Sequence, residues 1–182
     1  IKRILGKAAR SKTATQRFLT EAQSIAALNH NNIVQIYDYG RSTEGPFLIM
    51  ECVQGGSLLD KCKEGPIELE EAVNIFSQLC DGLAKAHAVN IIHRDIKPAN
   101  IFLCSNGAVK LADFGISRTY EQGSGAYTEN IKGTLNYMAP EIFTEQRYSV
   151  QSDLYALGIT LWELVTRQVA CSPETMMSKI QW

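Results

Sequence analysis

HRDIKPAN, residues 93–100, sets a histidine, an arginine, an aspartate, a lysine and an asparagine around one proline. AVNII (88–92) before it reads as the end of a helix followed by a short strand, and IFL (101–103) after it as another strand. Polar heads taken out of water need partners, so a loop this dense in them, between apolar segments, needs an explanation from the rest of the chain.

Working outward, IFL and AVKLAD (108–113) flank Ser105-Asn106-Gly107, and Asn-Gly is a strong hairpin signal. Residues 115–138 are rich in Gly, Ser, Thr and Tyr and read as a long loop. DLYALGITLWELV (153–165) is apolar nearly all round, which predicts a buried helix. Upstream, ELEEAVNIFSQLCDGLAKAH (68–87) follows Pro66 as an amphipathic helix with Val73, Phe76, Leu79, Leu83 and Ala86 on its apolar side. NIVQIYDYG (32–40) and PFLIMECV (46–53) read as two strands around the turn RSTEG (41–45), and QGGSL (54–58) breaks the second. RFLTEAQSIAAL (17–28) is helical, with Phe18, Ala22, Ile25 and Leu28 on one side, and IKRIL (1–5) reads as the end of a strand. Glu21 shares the apolar side of 17–28, so it either has a cationic partner or lies at the stripe's edge and reaches water. Strands come mostly first and helices mostly later, which suggests two lobes with a boundary near Glu51–Gly56.

The 182 residues are 45% hydrophobic and 20% charged with a net charge of −1, which suits a soluble globular chain and gives no general attraction to nucleic acid or an anionic membrane. No apolar run has the length of a membrane span, and no signal-peptide pattern opens the chain. Cys52, Cys62, Cys80, Cys104 and Cys171 form no CxxC pair and no zinc spacing, so they read as separate reduced thiols of a cytosolic, hence cytoplasmic, protein.

His93-Arg94-Asp95 with Asn100, then Asp113-Phe114-Gly115 after a hairpin, then Ala139-Pro140-Glu141 after a long loop resemble the HRDxxxxN, DFG and APE segments of protein kinases. Each triplet alone is weak; all three in order are strong. With Lys97 two residues after the aspartate, the chain resembles the eukaryotic-like (Hanks-type) serine/threonine protein kinases. Phrases such as HAVNIIHRDIKPANI and SDLYALGITLWEL look most like bacterial members.

The resemblance implies an α+β, bilobal fold: a small β-rich lobe over 1–53 with the hinge, and a helical lobe over 54–182. It implies transfer of the ATP γ-phosphate to protein serine or threonine, with Mg²⁺. Asp95 would accept or orient the substrate hydroxyl, Lys97 would sit near the transferring phosphate, and Asn100 and Asp113 would be metal ligands. Lys2 would hold ATP phosphates and pair with Glu21; Met50 would be the gatekeeper, Glu51-Cys52-Val53 the hinge that meets adenine, and Phe102 the residue beneath it. Ile25, Ile36, His93 and Phe114 would form an aligned stack, and Asp153 would brace the catalytic loop. Thr128 would be an activating phosphosite paired with Arg94, and Thr134 would contact Asp95 and Lys97. Members of this type often activate by self-association in trans.

The Gly-rich loop that precedes the lysine strand in this family, and the last helices of its large lobe, are outside these residues, so the resemblance implies a domain lacking its first strands and last helices. Glu141 would then lack its arginine partner, and Ile1–Leu5 would present a strand edge. The alternative reading is a catalytically inactive kinase fragment acting as a protein-binding module. A small-molecule kinase is disfavoured by the APE segment and the long loop.

Overall fold

The computed structural model describes residues 1–3, 12–43, 45–65, 67–115 and 135–168. A three-stranded antiparallel sheet in the order β1-β3-β2 carries one helix, α1. Its strands are β1 (Lys2–Arg3), β2 (Ile36–Ser42) and β3 (Gly45–Met50), and α1 spans Lys12–Ala26. Lys2 faces Leu48 across the β1–β3 ladder. The β2–β3 strands reach to Ser42 and resume at Gly45, so the turn is tighter than 41–45, and β3 ends at Met50 rather than running through Val53. Phe18, Ala22, Ile25 and Leu28 are all buried, as the periodicity of 17–28 requires.

The crossover 51–57 leads to the helices α2 (Leu58–Glu64) and α3 (Leu69–His87), the hairpin β4 (Ile101–Leu103) and β5 (Val109–Leu111), and the helices α4 (Pro140–Glu145) and α5 (Val150–Thr166). Gly107 at φ +82° closes the hairpin turn, as Asn-Gly predicts. Ile91 and Ile92 form no strand: α3 ends through Asn90 at φ +59°, and Ile91 N–H donates back to the carbonyl of Ala86 at 3.0 Å.

On α3 the buried positions are Ala72, Ile75, Leu79, Gly82, Leu83 and Ala86, while Val73 is 58% exposed. Leu79, Leu83 and Ala86 are buried as expected and Phe76 packs against the core, whereas the small Ala72 and Gly82 take the inside in place of Val73: a Cβ at Gly82 would come within 2.9 Å of the Asn32 carbonyl. On α5 the inward face is Ser152, Asp153, Ala156, Leu157, Thr160 and Leu164; Leu154, Trp162 and Val165 lie half exposed, so the helix is buried along one side and not all round. Its apolar composition exceeds what α3 covers.

The sheet joins the helical part through the α1–β2 connector. Val34 N–H donates to the Leu111 carbonyl at 2.8 Å, and Leu111 N–H to the Asn32 carbonyl at 2.9 Å. The buried Asn32 amide donates to Gln78 Oε1 on α3 and to the Val109 carbonyl, both at 2.9 Å. Among the described residues, no helix is long and apolar enough to cross a membrane.

Candidate active site

The loop 93–100 is held from below by one buried carboxylate. Ser149 and Ser152 form a reciprocal cap at the start of α5, which places Asp153 in its first turn, where a negative charge suits the helix dipole. Asp153 is 1% exposed. It accepts from His93 N–H at 2.7 Å, from Arg94 N–H at 2.8 Å and from the His87 ring at 2.8 Å. Buried main-chain donors in an irregular loop need acceptors, and here a side chain replaces a strand partner.

His93 is fully buried and links two segments. Its Nε2 lies 3.0 Å from the Ala112 carbonyl and its Nδ1 accepts from Asp95 N–H at 3.2 Å. That pairing requires the neutral ring with the proton on Nε2. Burial holds its pKa below the usual histidine value, outweighing the nearby carboxylates. The unfolded chain therefore binds a proton here that the folded chain does not, and the neutral-ring contribution is present above the ordinary pKa and lost as pH falls below it. Below about pH 6.5, this one group should steepen acid destabilisation, with a limiting slope of about 1.4 kcal/mol per pH unit. Urea melts across that range should show the extra slope in the wild type and not in His93→Gln; equal slopes would exclude a buried neutral ring.

The carboxylate of Asp95 sits between Lys97 Nζ at 3.0 Å and the Asn100 amide nitrogen at 2.8 Å. The same nitrogen donates to the Asp95 carbonyl at 2.7 Å, so both amide hydrogens go to Asp95 and the amide oxygen is turned away from it. Asn100 stays in place because Ala112 N–H donates to its carbonyl at 2.9 Å. Asp113 follows directly, at φ +58°, and Gly115 N–H donates to the His93 carbonyl at 2.6 Å. A Cβ at Gly115 would meet that carbonyl and Arg94 Cβ at 2.9 Å each, so the DFG segment lies flat against the loop. His93 and Phe114 rings touch with centroids 4.5 Å apart, and Ile25, Ile36 and Phe114 line one apolar cavity with Met50, Lys2 and Asp113.

The ion pairs differ from expectation. Lys2 Nζ lies 2.7 Å from Asp113, and Glu21 lies 3.2 Å from Arg94 Nη1, so the expected Lys2–Glu21 pair is replaced by two others. The pattern on α1 left open whether Glu21 has a cation or reaches water; it has a cation, from the HRD arginine. Lys2 goes to Asp113, two residues past the end of β5. Thr128 and Thr134 lie outside the described residues.

Met50 ends β3, and Glu51, Cys52 and Val53 begin the irregular crossover; Phe102 lies on β4, bridged to Ser57. Gly55 passes so near β4 that a Cβ there would overlap the Leu103 carbonyl at 1.8 Å. Farther out, Tyr137 donates to Glu163 on α5, and burial raises the pKa of both groups. Among the described residues, no three His, Cys, Asp or Glu side chains gather as a metal cage. The oxygens of Asp113 and Asn100 nevertheless suit Mg²⁺, which takes few protein ligands alongside substrate phosphates. Sequence reasoning missed Gln35, which joins the Ala26 and Ile36 carbonyls, and Gln78 and Lys110, which bond to residues far away in the chain.

A helix-backed sheet above a helical body, with this loop and DFG segment between them, is the arrangement of a protein kinase domain. The protein kinase domain profile matches residues 1–181, and the chain belongs to that family. It is 38% identical over 164 residues to serine/threonine-protein kinase PrkC of Bacillus subtilis, covering 90% of this chain and 25% of PrkC. The solved kinase domain of Mycobacterium tuberculosis PknI superposes with a TM-score of 0.72 at 26% identity, covering 90% of this chain and 61% of that one. Rad53 1–466 in complex with AMP-PNP superposes with a TM-score of 0.74 at 26% identity, covering 91% and 43%. The chain thus spans about a quarter of the length of PrkC.

Proposed function

We propose that this chain transfers the γ-phosphoryl group of ATP to serine or threonine hydroxyls of proteins. The observation that carries this is the Asp95 carboxylate held between Lys97 and Asn100, on a loop bonded to the residues either side of Asp113-Phe114. Asp95 takes the proton of the incoming hydroxyl as that oxygen bonds to the γ-phosphorus and the bond from phosphorus to the ADP oxygen breaks. Lys97 offsets charge on the transferring group. Asp113 and Asn100 would hold Mg²⁺, which supplies positive charge to the phosphate oxygens. Lys2 would leave Asp113 for the α- and β-phosphates, and Met50, the backbone from Glu51 to Val53, and Phe102 would surround adenine. The names of the bacterial relatives, and Lys97, support serine/threonine specificity; AMP-PNP in the Rad53 structure, which shares the adenosine of ATP, supports the nucleotide.

Residues 1–53 then serve as the nucleotide lobe and 54–182 as the substrate lobe. Phosphate on Thr128 would compete with Glu21 for Arg94 and release Glu21 to Lys2, while Thr134 would contact Asp95 and Lys97. Phosphorylation in trans between two copies would supply that phosphate, and a cytoplasmic location fits the free thiols.

The test is incorporation of labelled γ-phosphate by the purified chain with Mg²⁺ and a serine- and threonine-rich peptide, beside Asp113→Asn. Label on peptide or Thr128 hydroxyls, absent from the variant, is expected. A folded wild-type chain that incorporates none would overturn the activity.

A further inference from the structure

We propose that Lys110 is a positioning residue for the nucleotide: it pins the crossover 51–57 to the β4–β5 hairpin and so fixes the backbone that meets adenine. This inference rests on the nucleotide-binding part of the proposed function.

Three segments distant in sequence converge on one carboxylate oxygen. Glu51 Oε2 lies 2.9 Å from Lys110 Nζ and accepts from Gln35 N–H at 3.2 Å. Glu51 N–H returns a bond to the Gln35 carbonyl at 2.9 Å, and the Gln35 side chain donates to the Ala26 and Ile36 carbonyls, both at 3.1 Å. The Lys110 and Glu51 side chains are only 16% and 24% exposed, so this pair is better shielded from solvent than a surface ion pair. One shared acceptor therefore ties the α1–β2 connector, the start of the crossover and β5 together.

The hairpin also grips the crossover's far end. Leu103 N–H donates to the Gly56 carbonyl at 3.0 Å, Ser57 bridges Phe102, and Gly55 touches the Leu103 carbonyl. The far grip comes from β4 and the near grip from Lys110 on β5. Between the two lie Cys52, Val53 and Gln54. Lys110 faces Phe102 across the hairpin and stands three residues before Asp113. The hairpin thereby sets the spacing between the adenine-facing backbone, the floor beneath it and the Asp113 carboxylate.

The test measures nucleotide affinity and maximal rate separately. A fluorescent ATP analogue with Mg²⁺ is titrated against the wild-type chain, Lys110→Met, Lys110→Arg, Glu51→Gln and the Lys110→Met/Glu51→Gln double variant, with phosphorylation followed at saturating ATP. Lys110→Met should weaken nucleotide binding about fivefold or more with the saturated rate within about twofold. Lys110→Arg should bind within about twofold of wild type. The double variant should fall short of the sum of the two single effects, since both changes remove the same ion pair. Should the methionine variant fail to fold, Lys110→Gln takes its place. Unchanged affinity, additive effects, or a faster or slower saturated rate at unchanged affinity would each overturn the positioning role. A wild-type chain that binds no nucleotide would overturn the ATP reading, and the inference with it; binding by wild type with equal binding by the variants would overturn only the inference.

Discussion

Asp95→Asn should slow phosphorylation by about 10²- to 10⁴-fold, the usual range for loss of a positioned general base. The geometry adds a reason beyond lost charge. Asp95 Oδ2 accepts from Lys97 and Asn100, both donors. An asparagine presenting its NH₂ there sets three donors against one another, while one presenting its oxygen keeps the bonds but cannot take a proton. Nucleotide affinity should change less than about threefold, because the proposed mechanism sets Asp95 at the hydroxyl and not at adenine. Label incorporation at saturating ATP, read beside a nucleotide titration, checks both. A near-normal rate would remove Asp95 from the chemistry; loss of rate and affinity together would point to collapse of the loop.

Asp153→Ala should destabilise the protein strongly. It strips acceptors from the N–H groups of His93 and Arg94 and from the His87 ring, all around a site that is 1% exposed. Donors left buried without a partner cost about 1–3 kcal/mol each, giving about 3–5 kcal/mol after partial relaxation. For a chain of this size, that corresponds to roughly 6–20 °C in Tm. Asp153→Asn, which keeps one acceptor oxygen, should fall between the two. A melting point within about 3 °C of wild type for Asp153→Ala would mean that water or a loop shift replaces the carboxylate.

Much of the site was legible because its residues stand close together in the chain. Asp95, Lys97 and Asn100 lie within six positions, and a short loop leaves them little choice but to meet. The Asn-Gly hairpin then brings Asp113 back to them. The ion pairs were not legible. Lys2, Glu21, Arg94 and Asp113 include two cations and two acids within mutual reach, and two pairings satisfy the charges equally well on paper. On α3 only Val73 was misplaced, and for a different reason. Hydrophobicity favours Val73 over Ala72, but a helix pressed against another backbone selects small residues for the inside. Leu154, Trp162 and Val165 show the converse, since apolar composition gives the capacity for burial and not the neighbour that provides it.

Arg94 and Asp113 both hold left-handed backbone, at φ +68° and +58°, although neither is glycine. Each such residue costs on the order of 1 kcal/mol or more. Glycine, or at position 113 asparagine, would relieve that strain and delete the side chain proposed to hold Mg²⁺ at Asp113 or to meet the regulatory phosphate at Arg94. Breeding this protein for heat resistance alone would therefore push these two positions toward residues that forfeit the metal-binding and regulatory roles proposed for them. Thermal hardiness and activity are opposed here by backbone geometry, so a thermostable descendant that still works must gain its stability elsewhere.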